Sequence, residues 1–198
     1  MLIVAGNKAL VVLTHLQSMP PLSNKGLLSE AGFTLIEMLV TISVATVLVF
    51  VAAPSFVAFQ KNAQLSEAVS NFIAATTVTR SNAMKQGIKT YLASNDTVIG
   101  WSSGWMVYTD SNFNDTYEAS EEVLLRHEAI NSSVVISIPT ASSLTEGYVL
   151  YNGSGYPRLK NGGFGGGTMI MSNSLRSISI IIDPAGRVRS CITGSTGC

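Results

Sequence analysis

From Met38 to Gln60 the chain runs for 23 residues without a charge, with TISVATVLVFVAAPSFVAF at their centre. At ~1.5 Å rise per residue that run makes roughly 34 Å of helix, enough to cross a hydrocarbon core of ~30 Å. A buried core helix of this length would show a polar face, and a cleaved secretory signal would have a shorter apolar stretch followed by a small-residue cleavage site. Here the run flows directly into a second helical pattern, so it reads as a retained membrane span. Beyond Lys61, the residues Leu65, Ala68, Val69, Phe72, Ile73, Thr76, Ala83 and Met84 recur at three- and four-residue spacings, which predicts an amphipathic helix with one buried stripe. Only Pro54 interrupts the two patterns, and a proline inside a membrane helix is tolerated as a kink. One bent helix is therefore expected from Phe33 to Gln86, capped by Gly87. Its first half would sit in lipid or against other apolar helices, and its second half on a soluble domain.

After Ile88 the period changes to two and turn residues come every eight to twelve positions, the pattern of antiparallel β structure. Strands are predicted at Lys89–Ala93, Trp105–Thr109, Glu122–His127, Val134–Ile138, Tyr148–Tyr151, Thr168–Met171, Ser177–Ile182 and Arg187–Cys191. The tract NGGFGGG from Asn161 to Gly167 reads as a flexible loop. Without a following Gly-Lys-Ser/Thr it is no phosphate-binding loop.

Composition narrows the function classes. With 46% apolar and 12% charged residues the chain is too apolar to be disordered. A formal charge of zero excludes polyanion binding driven by net charge, although local charge can still act. The two cysteines permit at most one bridge, and with no C-x-x-C or Cys/His cluster nothing suggests structural zinc.

Around the start of the apolar run the sequence reads Gly32-Phe33-Thr34-Leu35-Ile36-Glu37-Met38-Leu39-Val40. This closely resembles the processing site of type IV prepilins and type II secretion pseudopilins. The resemblance implies cleavage between Gly32 and Phe33 by a prepilin peptidase, N-methylation of Phe33, and a helix kink at Pro54. Residues 1–32 would be a cleaved leader, residues 33–60 the transmembrane and assembly half of the helix, and residues 61–198 a periplasmic head. The leader is longer than is usual for the family, and translation from Met19 would give the short form MPPLSNKGLLSEAG. Glu37 lies in the first helical turn, where the helix dipole favours an anion, while a carboxylate at the edge of a membrane span costs a few kcal/mol unless partnered. In the family it is thought to meet the N-terminal amine of a neighbouring subunit during assembly; the alternative is an interfacial glutamate without a role.

Past the helix, the stretches Thr79–Ser94, Gly104–Ile130 and IIDPAGRVRSC (Ile181–Cys191) are similar to the FimT/GspH type of minor pilin and pseudopilin. That resemblance implies an α+β, type IV pilin-like fold, in which a long kinked N-terminal helix packs on antiparallel β-sheets. Gly186-Arg187-Val188-Arg189 matches the Gly-Arg-x-Arg motif of FimT proteins, implicated in DNA binding during natural transformation.

The residues themselves allow such a role. Asp183-Pro184-Ala185-Gly186 is a turn signal, so Arg187 and Arg189 are expected to open the return strand of a hairpin, on one face and opposite Val188. Charge is segregated as well: Asn95–Leu150 holds eight acids and one base (net −7), whereas Tyr151–Cys198 holds Arg158, Lys160, Arg176, Arg187 and Arg189 against Asp183 (net +4). Arg176 and Lys160 therefore join the two hairpin arginines as candidate phosphate ligands. The competing reading of these charges is a solvated hairpin edge protected from aggregation. Cys191 and Cys198 flank an easily closed loop, and in an oxidising compartment they form a bridge or remain two thiols.

Two other constellations carry less. Asp110, Asn112, Asn114 and Glu121 fall at EF-hand spacing, but Asp115 replaces the turn glycine, so an Asx-rich hairpin loop is expected in place of a calcium site. His127 sits in an alternating strand without an evident nucleophile or acid partner, which reads as a structural histidine. The sequence thus predicts a non-enzymatic minor pilin without cofactor or metal. It would be held in the inner membrane before assembly into a pilus with other pilins, and would bind DNA there. The alternatives are a minor pseudopilin of a type II secretion system, or a pilin that primes assembly for adhesion or twitching without touching DNA.

Overall fold

The computed structural model describes residues 32–198. The remainder of the expected leader, with the alternative start at Met19, lies outside the described residues. The chain divides by its internal contacts after Thr46.

Helix α1 spans Leu35–Gln86 and continues through Pro54. It begins on a reciprocal cap. The Thr34 hydroxyl oxygen accepts the Glu37 N–H at 3.3 Å, and Glu37 Oε2 accepts the Thr34 N–H at 2.8 Å and its hydroxyl at 3.0 Å. This is the Thr-x-x-Glu capping box, which satisfies two of the donors a helix start leaves open. Farther along, the Ser43 and Thr46 hydroxyls donate to the Leu39 and Ile42 carbonyls at 2.7 Å, so an apolar surrounding would strip no partner from them. Among the described residues α1 is the helix long and apolar enough to cross a membrane. It ends where Gly87, at φ +74°, returns its N–H to the Ala83 carbonyl.

The unit from Val47 to Cys198 holds the rest of α1 and nine antiparallel strands. These are β1 (Thr90–Ser94), β2 (Trp105–Thr109), β3 (Val123–His127), β4 (Val135–Ser137), β5 (Tyr148–Tyr151), β6 (Pro157–Arg158), β7 (Gly167–Ser172), β8 (Ser177–Ile182) and β9 (Val188–Ile192). They form a five-stranded sheet in the order β3-β2-β1-β5-β6 and a four-stranded sheet in the order β4-β7-β8-β9. The eight expected strands are all present, within a residue or two at their ends. The two-residue β6 was not expected; it begins with a proline and lies at the edge of its sheet, and the first residue and the edge are both places where a strand tolerates that residue.

Leu65, Phe72, Ala75 and Ala83 of α1 share one core with Leu92, Trp105, Val107, Val149 and Tyr151 of the first sheet and Met169, Met171, Ile180 and Ile182 of the second. Phe72 sets its ring edge-on to Trp101 and Trp105, with centroids 5.3 Å away in both cases. The buried stripe differs from expectation at four places: Ile73 is only half-buried, and Ala75, which was not expected in it, is buried. Met84 is exposed, while Thr79 is buried at 0% exposure and spends its hydroxyl on the Ala75 carbonyl at 2.7 Å. The opposite face of the first sheet is covered too, because Tyr91 stacks on Tyr108 at 5.1 Å and Tyr117 and Tyr148 pack against them.

Candidate nucleic-acid interface

The hairpin between β8 and β9 turns on Asp183-Pro184-Ala185-Gly186. The Gly186 N–H donates to the Asp183 carbonyl at 2.9 Å, and the Asp183 N–H to the Arg187 carbonyl at 3.0 Å. Gly186 is required here for two reasons. Its φ is +81°, and a Cβ would lie 2.3 Å from the Gly155 carbonyl oxygen, an obstacle made of backbone. Arg187 is the last residue of the turn and β9 opens at Val188, one residue later than expected. The predicted alternation holds: Arg187 and Arg189 are exposed, while Val188 between them packs against the core.

Both guanidinium groups have local partners. Arg187 donates from Nε to Asp183 Oδ2 and from its backbone N–H to Asp183 Oδ1, each at 2.9 Å, yet its side chain stays 77% exposed. That backbone donor, together with the guanidinium, holds the Asp183 carboxyl below the usual carboxylate range. Arg189 donates to the Gly197 carbonyl at 2.9 Å. Gly197 belongs to the loop closed by a Cys191–Cys198 disulfide with Cα atoms 5.6 Å apart, so the expected bridge is present and the thiol alternative falls.

Two residues that the sequence did not single out lock the turn to the core. Arg80 reaches from α1 and donates to the Ala185 carbonyl at 2.9 Å. The buried Tyr151 hydroxyl donates to the Gly186 carbonyl at 3.0 Å. A signal for Arg80 was present, since it falls one helical turn after Thr76 and three residues before Ala83, on the flank of the buried stripe. A cation at that place needs a carbonyl to meet.

The other two candidates part company. Lys160 is exposed, and its ammonium lies 5.2 Å from the centre of the Tyr148 ring and 5.8 Å from that of Tyr91, which leaves it available to an anion. Arg176 is different. It donates to the Asn62 carbonyl at 3.0 Å and to the Ser66 hydroxyl at 2.5 Å. It precedes β8 whereas Arg187 follows it, so β8's six residues at ~3.3 Å each place the two arginines roughly 20 Å apart. Arg176 is removed from the phosphate set: its guanidinium staples the β7–β8 turn to α1.

The Asp110–Glu121 segment is the Asx-rich loop the sequence suggested. Asp110 accepts the N–H groups of Asn114 and Asp115, Asn112 and Asn114 each close on the N–H two residues on, and Glu121 accepts those of Ser111 and Glu118. Nearby, burial works against the charged form of Asp115, but donors from Lys89 and Tyr91 outweigh it and hold its carboxyl below the usual range. His127 stacks on Trp105 at 4.4 Å, with Nε2 3.0 Å from Asn71 Nδ2 and Nδ1 2.7 Å from the Glu128 carbonyl. Nδ1 therefore carries the proton and Nε2 accepts from Asn71, a bond that ties α1 to β3.

Residues 68–186 match the family model described as type II transport protein GspH. The chain belongs to the GspH family. Residues 27–53 match the prokaryotic N-terminal methylation motif, which brackets Gly32, Phe33 and Glu37. Among solved structures, the chain is similar to the type IV minor pilin FimU of Pseudomonas aeruginosa at 15% identity and a TM-score of 0.49, with 69% of this chain and 98% of FimU covered. It is also similar to the minor pseudopilin EpsH of the Vibrio cholerae type 2 secretion system at 7% identity and a TM-score of 0.49, with 67% of this chain and 99% of EpsH covered. No curated protein matches in sequence. This GspH-family chain is a minor pilin or pseudopilin with a membrane-anchoring N-terminal helix, and its family implies processing by a prepilin peptidase and assembly with other pilins.

Proposed function

We propose that the chain is a non-enzymatic pilus subunit that binds DNA through the β8–β9 hairpin for uptake during natural transformation. In this reading it is cleaved between Gly32 and Phe33, methylated on Phe33, and held in the inner membrane by residues 33–60 until Glu37 engages a neighbouring subunit. The observation that carries the DNA reading is the hairpin itself: two exposed, always-charged side chains on a hairpin whose turn is held by Arg80 and Tyr151 and whose second strand is tied down by the disulfide. Guanidinium forks suit phosphate oxygens, and because they are held in place little side-chain entropy is lost on contact. Such contacts are independent of sequence and weaken as salt rises.

The Asp183–Arg187 ion pair favours a second reading, that of a secretion pseudopilin in which the arginines only stabilise the turn. The two differ in the cell. With Arg187→Gln/Arg189→Gln at the chromosomal locus, uptake of labelled duplex DNA falls about tenfold or more while filaments still form and export continues. Uptake at the wild-type level in the double variant would overturn the DNA reading in favour of the pseudopilin.

A further inference from the structure

The β5–β6 turn lies against the hairpin. A Cβ on Gly186 would meet the Gly155 carbonyl, and Cβ atoms on Gly155 and Gly186 would lie 3.3 and 3.2 Å from the same Arg80 Nε. The backbones thus touch one residue before Arg187 on one side and one residue before Tyr156 on the other. Tyr156 is 45% exposed, while its neighbour Pro157 is buried. Its backbone is fixed twice, with its N–H on Asn152 Oδ1 at 2.9 Å and its carbonyl accepting the Asn152 N–H at 3.1 Å. The Arg158 guanidinium stands 5.8 Å from the centre of the Tyr156 ring. The contact of the two turns thus brings Tyr156, with Arg158 beside its ring, close to the turn that ends in Arg187, and the only acid between Tyr151 and Cys198 is Asp183.

A half-exposed ring on a fixed backbone, with a guanidinium beside it, is of little use to duplex DNA, whose bases are already stacked on one another. It is matched to a base that has no such neighbour, because every base has a π face and stacking tolerates any sequence. We propose that Tyr156 is a stacking platform for an unpaired base, with Arg158 and Arg187 taking the phosphates on either side, so that the surface favours single-stranded DNA or frayed ends. This rests on the DNA reading of the hairpin and adds to it the form of DNA bound.

The test titrates the whole chain in detergent with a fluorescent 20-nucleotide strand and with the duplex of the same sequence. Tyr156→Leu keeps bulk but removes the π face. It lowers affinity for the strand about tenfold while leaving the duplex unchanged, and Tyr156→Trp restores the strand. Arg187→Gln/Arg189→Gln weakens both. If Tyr156→Leu binds the strand as wild type does while the double arginine variant loses both forms, the stacking platform is wrong and the DNA reading stands. If the wild type binds neither form at low salt, both fall.

Discussion

Asp183 shows how one side chain can build a site and restrain it. Its carboxylate accepts the Arg187 backbone N–H that closes the turn and also pairs with the Arg187 guanidinium. Removing the charge therefore has two opposite results. Asp183→Asn leaves Arg187 without its counter-ion, and DNA affinity at low salt rises about threefold, as expected for one surface charge removed. The same substitution weakens the hairpin. Because the folded-state pKa is depressed, the stability Asp183 contributes is present above the unfolded value near 3.9 and is lost as pH falls through the folded value. The stability gap between wild type and Asp183→Asn, measured by urea unfolding, is open at pH 6 and closes as the pH is lowered toward 3. A gap that persisted unchanged at pH 3 would show that the carboxylate's charge contributes nothing there.

At the scale of elements, the β8–β9 hairpin owes its position to backbone contacts that leave no room for a side chain at Gly186. Gly186→Ala combines a positive φ with a collision against the Gly155 carbonyl, so it destabilises the head by about 1–3 kcal/mol, seen as a lower midpoint in thermal unfolding. An unchanged midpoint would mean that the two turns are not pressed together. The helix, the strands and the outward pair Arg187/Arg189 were legible in the sequence because they rest on periodicity, which a single chain displays. The fate of Arg176 was not, since charge tallies record sign and not which carbonyl a guanidinium meets; Asn62 and Ser66 lie more than a hundred residues away. The carbonyls that Arg80 and Tyr151 meet were hidden for the same reason, although the place of Arg80 on the flank of the buried stripe was visible. Thr34 and Glu37, by contrast, spelled out their capping box at fixed spacing, and the sequence reading used only the acid. The short β6 carries no periodicity of its own and shows only through its pairing with β5.

For the molecule as a whole, a formal charge of zero averages an acidic middle segment and a basic C-terminal one. Binding driven by net charge is thereby excluded, and binding by a localised patch is not. Membership of the GspH family implies the membrane anchor and the assembly with other pilins. The basic hairpin is what would set this subunit apart from one that only builds a filament. The most direct measurement is the affinity of the whole chain in detergent for duplexes of unrelated sequence across a salt series, with Arg187→Gln/Arg189→Gln alongside. The account predicts equal affinity for all sequences, a linear fall of log affinity with log salt, and a shallower slope for the double variant as about two phosphate contacts are lost. A double variant that keeps both the wild-type affinity and the wild-type slope would contradict it.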